Sequence, residues 1–369
     1  MKFEIESAKL RPMLQLAVRT IKPKPMSTIE GCYKLKAVSD GLILETMDTD
    51  ERLRAFIPAL VKEEGCVITD AKIMTELVSK LDSKILTMES DKDLTVLTVS
   101  YNGNHAKLHI AENTGFMPFP ELKAEKTLIF KREAFDNMVK KTSFAAALDT
   151  KQPVFTGINL ITEGKNVITG ATDTHIAALK IDEHDVRESC NIIIPARILS
   201  KVLAVKADKE AEVKITIDNN MISFEQDNIT ILSRLIMGSF PSIERVIPKT
   251  FAVRFELDKK KFLSAVEHIS VFDKGEYKKL YLDAENDCVT LKMSSELGEG
   301  TECIPCKTSD QKFSIAFNAR YFISVLNSIE ADSVLFEANS PITPALFSDV
   351  NDSTIRYVIT PLRVPKMAA

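Results

Sequence analysis

Residues 127–144, TLIFKREAFDNMVKKTSF, decide the fold of this chain. Leu128, Ile129 and Phe130 form a short apolar run that reads as a strand. Phe135, Met138, Val139 and Thr142 follow at i, i+3, i+4 and i+7, one face of a 3.6-residue helix. Lys140 and Lys141 fall outside that face, and Lys131 and Arg132 sit at its start. The same pattern opens the protein, where Phe3 and Ile5 alternate before Leu10, Met13, Leu14 and Ala17. It returns as Phe255 and Leu257, followed by Phe262, Ala265, Val266 and Ile269. Phe3 to Leu128 is 125 positions and Leu128 to Phe255 is 127, so one unit occurs three times.

A second anchor tests that period. VITDAKIMTELVSKL from Val67, IIIPARILSKVLAV from Ile192 and SIAFNARYFISVLNSI from Ser314 each join a β-rich run to an apolar helix face. Asp70, Pro195 and Asn318 start these helices, and such residues suit an N-cap or first turn. They lie 125 and 123 positions apart, and each is followed by Ala and then a base: Lys72, Arg197, Arg320. A repeat this long is a whole domain and not a solenoid unit. The chain therefore reads as α+β, in three copies over residues 1–123, 124–248 and 249–369. Each copy carries two strongly patterned helices among antiparallel strands. GFMPFPEL is a Pro-broken linker after the first copy, with a parallel Phe240-Pro241 loop in the second. The third copy closes on RYVITPLRV and a short polar tail.

At 369 residues, each copy is large enough for its own core. The start lacks an apolar leader and no run is long enough to cross a bilayer, so a cytoplasmic protein with no membrane partner is expected. The net charge of −4 excludes a protein basic all over but leaves room for a local basic surface. The six cysteines are scattered. Cys303-Ile304-Pro305-Cys306 lacks the second pair a zinc site needs, and reads as reduced thiols at a strand end.

Ala171-Thr172-Asp173-Thr174-His175 resembles acid/base equipment, and a repair or nucleotide-processing hydrolase using Asp173 and His175 is the alternative from another class. A triad needs convergent side chains, and the strand-to-turn setting favours a structural use of Asp and Thr. Gly164-Lys165-Asn166 lacks the rest of a P-loop. His105 and His109 are four apart in a strand pattern, roughly 13 Å, too far to share a metal. No catalytic residue, metal or cofactor is expected. The bases are the better lead. Lys9, Arg11, Arg19, Lys72, Lys80, Arg132, Lys140, Lys141, Arg197, Lys201, Lys259, Lys260, Lys261 and Arg320 belong to the repeated helices or their first turns. Together they suggest one basic surface for sequence-independent contact with phosphates.

GINLITEGKNVITGATDTHIAALKI, IIIPARILSKVL, SRLIMGSFPSIERVIP, FNARYFISVLN and the terminal YVITPLRV together resemble the bacterial β sliding clamps, processivity subunits of DNA polymerase III. The resemblance covers nearly the whole chain. It implies three DNA-clamp domains, each with two helices packed on antiparallel sheets, and a head-to-tail homodimeric ring around duplex DNA. It also implies docking of the replicative DNA polymerase, the clamp loader and other proteins with a clamp-binding motif. A monomeric peptide-binding scaffold without a DNA role is the third reading.

The family's peptide cleft maps onto Phe155, Thr172, His175, Ile176, Ala177, Pro241, Arg245, Val246, Pro344, Val358, Ile359, Thr360, Pro361, Leu362 and Arg363. Ile176-Ala177 replaces the family's usual Arg-Leu, and Thr360 stands where a methionine or leucine is common. From this a deeper, less cationic pocket is expected, altered at both positions. Dimer contacts map onto Leu108, Ile110, Val271 and Phe272. DNA contacts map onto Lys24 and Arg197, and the repeated helices add Lys72, Lys201 and Arg320. Met26-Ser27-Thr28 departs from the family's usual Thr-x-Pro in the loop after Pro25.

Overall fold

The computed structural model describes residues 1–149, 151–275, 278–307 and 312–363; the polar tail lies outside them. Among the described residues six helices stand at the repeated positions: α1 (Ser7–Ala17), α2 (Ala71–Lys80), α3 (Arg132–Thr142), α4 (Ala196–Leu203), α5 (Lys259–Ile269) and α6 (Ala319–Ser328). Strands Lys2–Glu6, Lys126–Lys131 and Val253–Asp258 lead directly into α1, α3 and α5. Gly65–Asp70, Cys190–Pro195 and Phe313–Asn318 lead into α2, α4 and α6. The predicted faces are the buried ones: Phe135, Met138, Val139 and Thr142 in α3, and Phe262, Ala265, Val266 and Ile269 in α5.

Local chemistry accounts for the helix ends. Asp70 Oδ1 accepts the Ile73 N–H at 2.8 Å, and Asn318 Oδ1 accepts that of Arg320 at 3.1 Å. Asp258 caps α5 in the same way through the Lys261 N–H. At the other ends, basic side chains of one helix satisfy the orphan carbonyls of its partner. Arg11 donates to Leu81 O at 2.8 Å beyond α2, Arg132 to Leu203 O at 2.9 Å in α4, and Lys259 to Ile329 O at 2.8 Å beyond α6. A cation there meets both the unpaired carbonyls and the negative end of the helix dipole. Arg132 is buried and also donates to Gln226; Lys141, likewise buried, donates to Ser328 O. These four bases hold helices together, which corrects their assignment to a basic surface.

Among the described residues the strands form four antiparallel sheets of five, eight, eight and four strands. In the first eight-stranded sheet, two four-stranded halves join where Ile229–Arg234 pairs with Glu51–Pro58. In the second, Ile355–Ile359 pairs with Ile176–Glu183. The middle copy thus supplies half of each large sheet. By packing, the chain divides into two compact units, residues 1–135 with 197–235, and residues 136–196 with 236–369. The core of the latter includes a cluster of packed phenylalanines. Phe322 lies 5.0 Å from both Phe317 and Phe347, and Phe336 lies 5.1 Å from Phe347, each pair edge to face.

Cys303 is joined to Cys288 across the hairpin, and so does not stand with Cys306 as a reduced pair; Cys306 is free. Burial pushes the Cys32 thiol up to about 11, and raises Cys66 and Cys306. Thiols held protonated in this way are poor nucleophiles.

Candidate functional site

The turn between strands Asn166–Thr172 and Ile176–Glu183 is built around one carboxylate. Asp173 Oδ1 accepts the N–H groups of His175 and Ile176, each at 2.8 Å, and Oδ2 accepts the Tyr321 hydroxyl at 3.0 Å. The Thr172 hydroxyl donates to Ile176 O at 2.7 Å and accepts the Thr174 N–H at 3.0 Å. The His175 ring lies face to face with the Tyr321 ring, centroids 6.2 Å apart. A carboxylate with three donors already on it is a turn scaffold, so the hydrolase reading of Asp173 and His175 has no support here.

This scaffold holds strain. Thr174 adopts φ +80°, in the region that favours glycine, and a β-branched residue there costs about 1–3 kcal/mol. Thr174→Gly is expected to raise the unfolding free energy by about 1 kcal/mol, the strain relief outweighing the extra chain entropy of glycine. Thr174→Ala, which keeps a Cβ, should show no such gain. Denaturant unfolding of both variants checks this, and equal stability of the glycine variant and the parent would refute it.

Sheet register sets the floor beside the turn. Thr172 pairs with Ala177, Ala177 with Val358, and Val358 with Leu346, one row across four strands. Ala177 and Val358 are buried in a cluster with Leu179, Ile243 and Leu346. Ile243 reaches them because Gly170 has no side chain: a Cβ there would lie 2.8 Å from Ile243 Cδ1. The same short turn, Ile243–Val246, buries Ile243 and leaves Arg245 and Val246 in solvent, next to exposed Pro241. His175 O accepts the Thr360 N–H at 2.8 Å, and Leu362 N–H donates to Ala316 O at 2.7 Å, which lays the C-terminal segment along this edge. His175, Thr360 and Arg363 are exposed, Phe155, Pro344 and Leu362 half-buried, and Pro361 buried.

Ile176 behaves differently. It is a strand neighbour of Ala177, so the two point to opposite faces. It pairs with Ile359, and both are buried. Ile176 and Ile359 thus stand off the row that contains Ala177, and the expectation of one pocket altered at both 176 and 177 is corrected. Tyr321 escaped the sequence reading. Its signal was its place in α6, one position before the core residue Phe322 and one after Arg320.

The phosphate-contact candidates divide. Lys24, Lys72 and Arg320 are exposed, with Lys72 Nζ 3.3 Å from Pro23 O. Arg197 and Lys201 already face carboxylates. Arg197 Nε is 2.5 Å from Glu51 Oε1, and Lys201 is in direct contact with Glu51 Oε2. Among the described residues no group of three or more His, Cys, Asp or Glu is placed to hold a metal. No helix there is long and apolar enough to cross a membrane.

The candidate interface residues flank two sheet edges. Leu108 lies on strand Asn104–His109, with Ile110 just beyond. Phe272 packs on strand Gly298–Pro305, where a Cβ on Gly300 would come within 2.8 Å of its ring. Val271 beside it is exposed.

Family models of the DNA polymerase III beta subunit match the chain as three successive domains: N-terminal over residues 1–112, central over 130–242 and C-terminal over 244–363. The chain belongs to the DNA polymerase III beta subunit family. A beta sliding clamp of Staphylococcus aureus is 24% identical over 377 residues, spanning 98% of this chain and 99% of that one. The DNA polymerase sliding clamp from Bacillus subtilis superposes with a TM-score of 0.91 at 22% identity, covering 99% of this chain and 100% of that one. The beta subunit from the DNA polymerase of Streptococcus pyogenes gives 0.91 at 20%, with the same coverage. The chain therefore has three clamp domains of mixed α+β build.

Proposed function

We propose that this protein is a non-enzymatic processivity clamp: a head-to-tail homodimeric ring that encircles duplex DNA in the cytoplasm and tethers the replicative polymerase. One observation about the sheets carries this reading. Two edge-to-edge joins link successive copies, Ile229–Arg234 with Glu51–Pro58 and Ile355–Ile359 with Ile176–Glu183. One repeat earlier than Ile229–Arg234 stands Asn104–His109, and one repeat later than Ile176–Glu183 stands Gly298–Pro305. Among the described residues Gly298–Pro305 is paired on one side only, and so is Asn104–His109, beyond which Ile110 bridges Thr69 of the same chain. They are the repeat equivalents of strands that join elsewhere, so a second copy of the chain supplies the missing partner to each. Leu108, Ile110, Val271 and Phe272 flank those edges and are the proposed dimer contacts.

The domain limits we propose are 1–123, 124–248 and 249–369. The row Thr172, Ala177, Val358 with its exposed surround of His175, Pro241, Arg245, Val246 and Thr360 is the proposed floor and rim of a docking cleft for partner peptides, including those of polymerase and clamp loader. Lys24, Lys72 and Arg320 are the proposed direct phosphate contacts.

Topology supplies the test. Loaded on closed circular duplex, the protein should co-elute with DNA through gel filtration, and most of it should be lost once the circle is cut. Binding to a short linear duplex should be weak and fall steeply with salt, because phosphate contacts release counterions. Equal retention on circular and linear DNA would refute the ring.

A further inference from the structure

Three basic side chains from three separate segments converge on a single half-buried carboxylate. Lys22 Nζ is 3.1 Å from Asp50 Oδ2, Arg197 Nη2 is 3.8 Å from the same oxygen, and Arg234 Nε is 3.9 Å from Oδ1. The backbone fixes Asp50 in place: its N–H donates to Asp48 Oδ1 at 2.9 Å, and its carbonyl accepts the Arg234 N–H at 2.9 Å. Beneath this layer two buried carboxylates anchor the cations, Asp48 3.0 Å from Lys22 and Glu51 2.5 Å from Arg197. The outer surfaces of Arg197 and Arg234 remain open, with side-chain exposures of 57% and 56%, and that of Asp50 is 39%. Burial alone would lower the Lys22 pKa, but the hydrogen bonds and charges of Asp48 and Asp50 outweigh it and hold it above its ordinary value.

Two guanidiniums and an ammonium around one oxyanion are the donor set that holds a phosphate, with fixed forks and a point charge. With Lys201 on Glu51 counted, four cations face the three carboxylates Asp48, Asp50 and Glu51, so the cluster keeps one net positive charge even with Asp50 in place. We infer that Lys22, Arg197 and Arg234 form a site for a backbone phosphate of duplex DNA, and that the Asp50 carboxylate occupies it in the free protein. Asp50 then sets how strongly this surface holds DNA: a phosphate entering the site displaces the carboxylate, which swings to solvent. This inference rests on the DNA-encircling reading and adds Asp50, Lys22, Arg197 and Arg234 to its phosphate contacts. A clamp that must slide gains from such a competitor, because no phosphate is held for long.

The test compares full-length parent, Asp50→Asn, Asp50→Glu and Asp50→Asn with Arg234→Gln, by fluorescence anisotropy on a 20-base-pair duplex over a salt series. Asp50→Asn should bind roughly three- to tenfold more tightly at low salt. Its plot of log K against log salt should be steeper by about 0.9, the slope of one added phosphate contact. Asp50→Glu keeps the charge and should match the parent, and Arg234→Gln should cancel the gain. Unchanged unfolding temperatures establish that each variant is folded. If Asp50→Asn binds like the parent while Lys72→Ala weakens binding, this inference fails and the DNA reading stands. If neither parent nor Asp50→Asn shows salt-dependent binding to the duplex, both fail.

Discussion

Replacing Phe322 by alanine is expected to lower the stability of the third domain by about 3–5 kcal/mol. The ring is fully buried and packs edge to face on Phe262, Phe317 and Phe347, at centroid distances of 5.5, 5.0 and 5.0 Å. Truncation removes the transfer free energy of the ring and leaves a cavity that three other rings cannot collapse into without leaving their own contacts. The effect is expected to reach the proposed contacts, because α6 carries Arg320 and Tyr321 immediately before this position in the chain. Hydrogen exchange in α6 should quicken, and the His175–Tyr321 stack should loosen with it. Phe322→Leu, which keeps much of the volume, should cost markedly less. Denaturant unfolding followed by α6 exchange reads both, and a loss below about 1 kcal/mol for the alanine variant would show that this core relaxes around the cavity.

The second large effect is expected at Glu51. Its carboxylate is buried and faces two cations, Arg197 and Lys201. Arg197 is more than half exposed and can turn to water when its partner is removed. Lys201 cannot do so as readily, since its side chain is only 14% exposed. Glu51→Ala therefore leaves a largely buried ammonium without a counter-charge, and a cost of about 3 kcal/mol is expected. Glu51→Gln keeps an acceptor and should lose less. The double variant Glu51→Ala with Lys201→Met should recover most of the stability, because the stranded charge is gone. If Glu51→Ala unfolds within about 0.5 kcal/mol of the parent, water already reaches the Lys201 ammonium and the pair contributes little.

Much of this protein was legible in residue order. The threefold repeat shows as apolar positions at helical spacing after short strands, because a helix must turn one face to the core whatever surrounds it. The helix starts show too, since Asp70 and Asn318 act on N–H groups two or three residues along the same chain. The resemblance of whole motifs then pointed to the family that the three domain matches establish.

Other properties depend on pairs of segments far apart in sequence, and only the tertiary structure decided them. A basic residue on a helix reads the same whether it faces solvent, as Lys72 does, or caps another helix, as Arg11, Arg132 and Lys259 do, because the carbonyl it meets lies about 70 residues away. Arg197 and Lys201 look free in sequence, yet Glu51, some 150 residues earlier, faces both. Ile176 and Ala177 look like one altered pocket until the pleat of the strand sends them to opposite faces. Asp173 looks like an acid/base group until Tyr321, 148 positions later, adds its hydroxyl to two backbone donors on the same carboxylate. A helix face and an N-cap are set by neighbours along the chain. The charge that a side chain meets and the wall that it lines are set by which strand or helix the fold places opposite it.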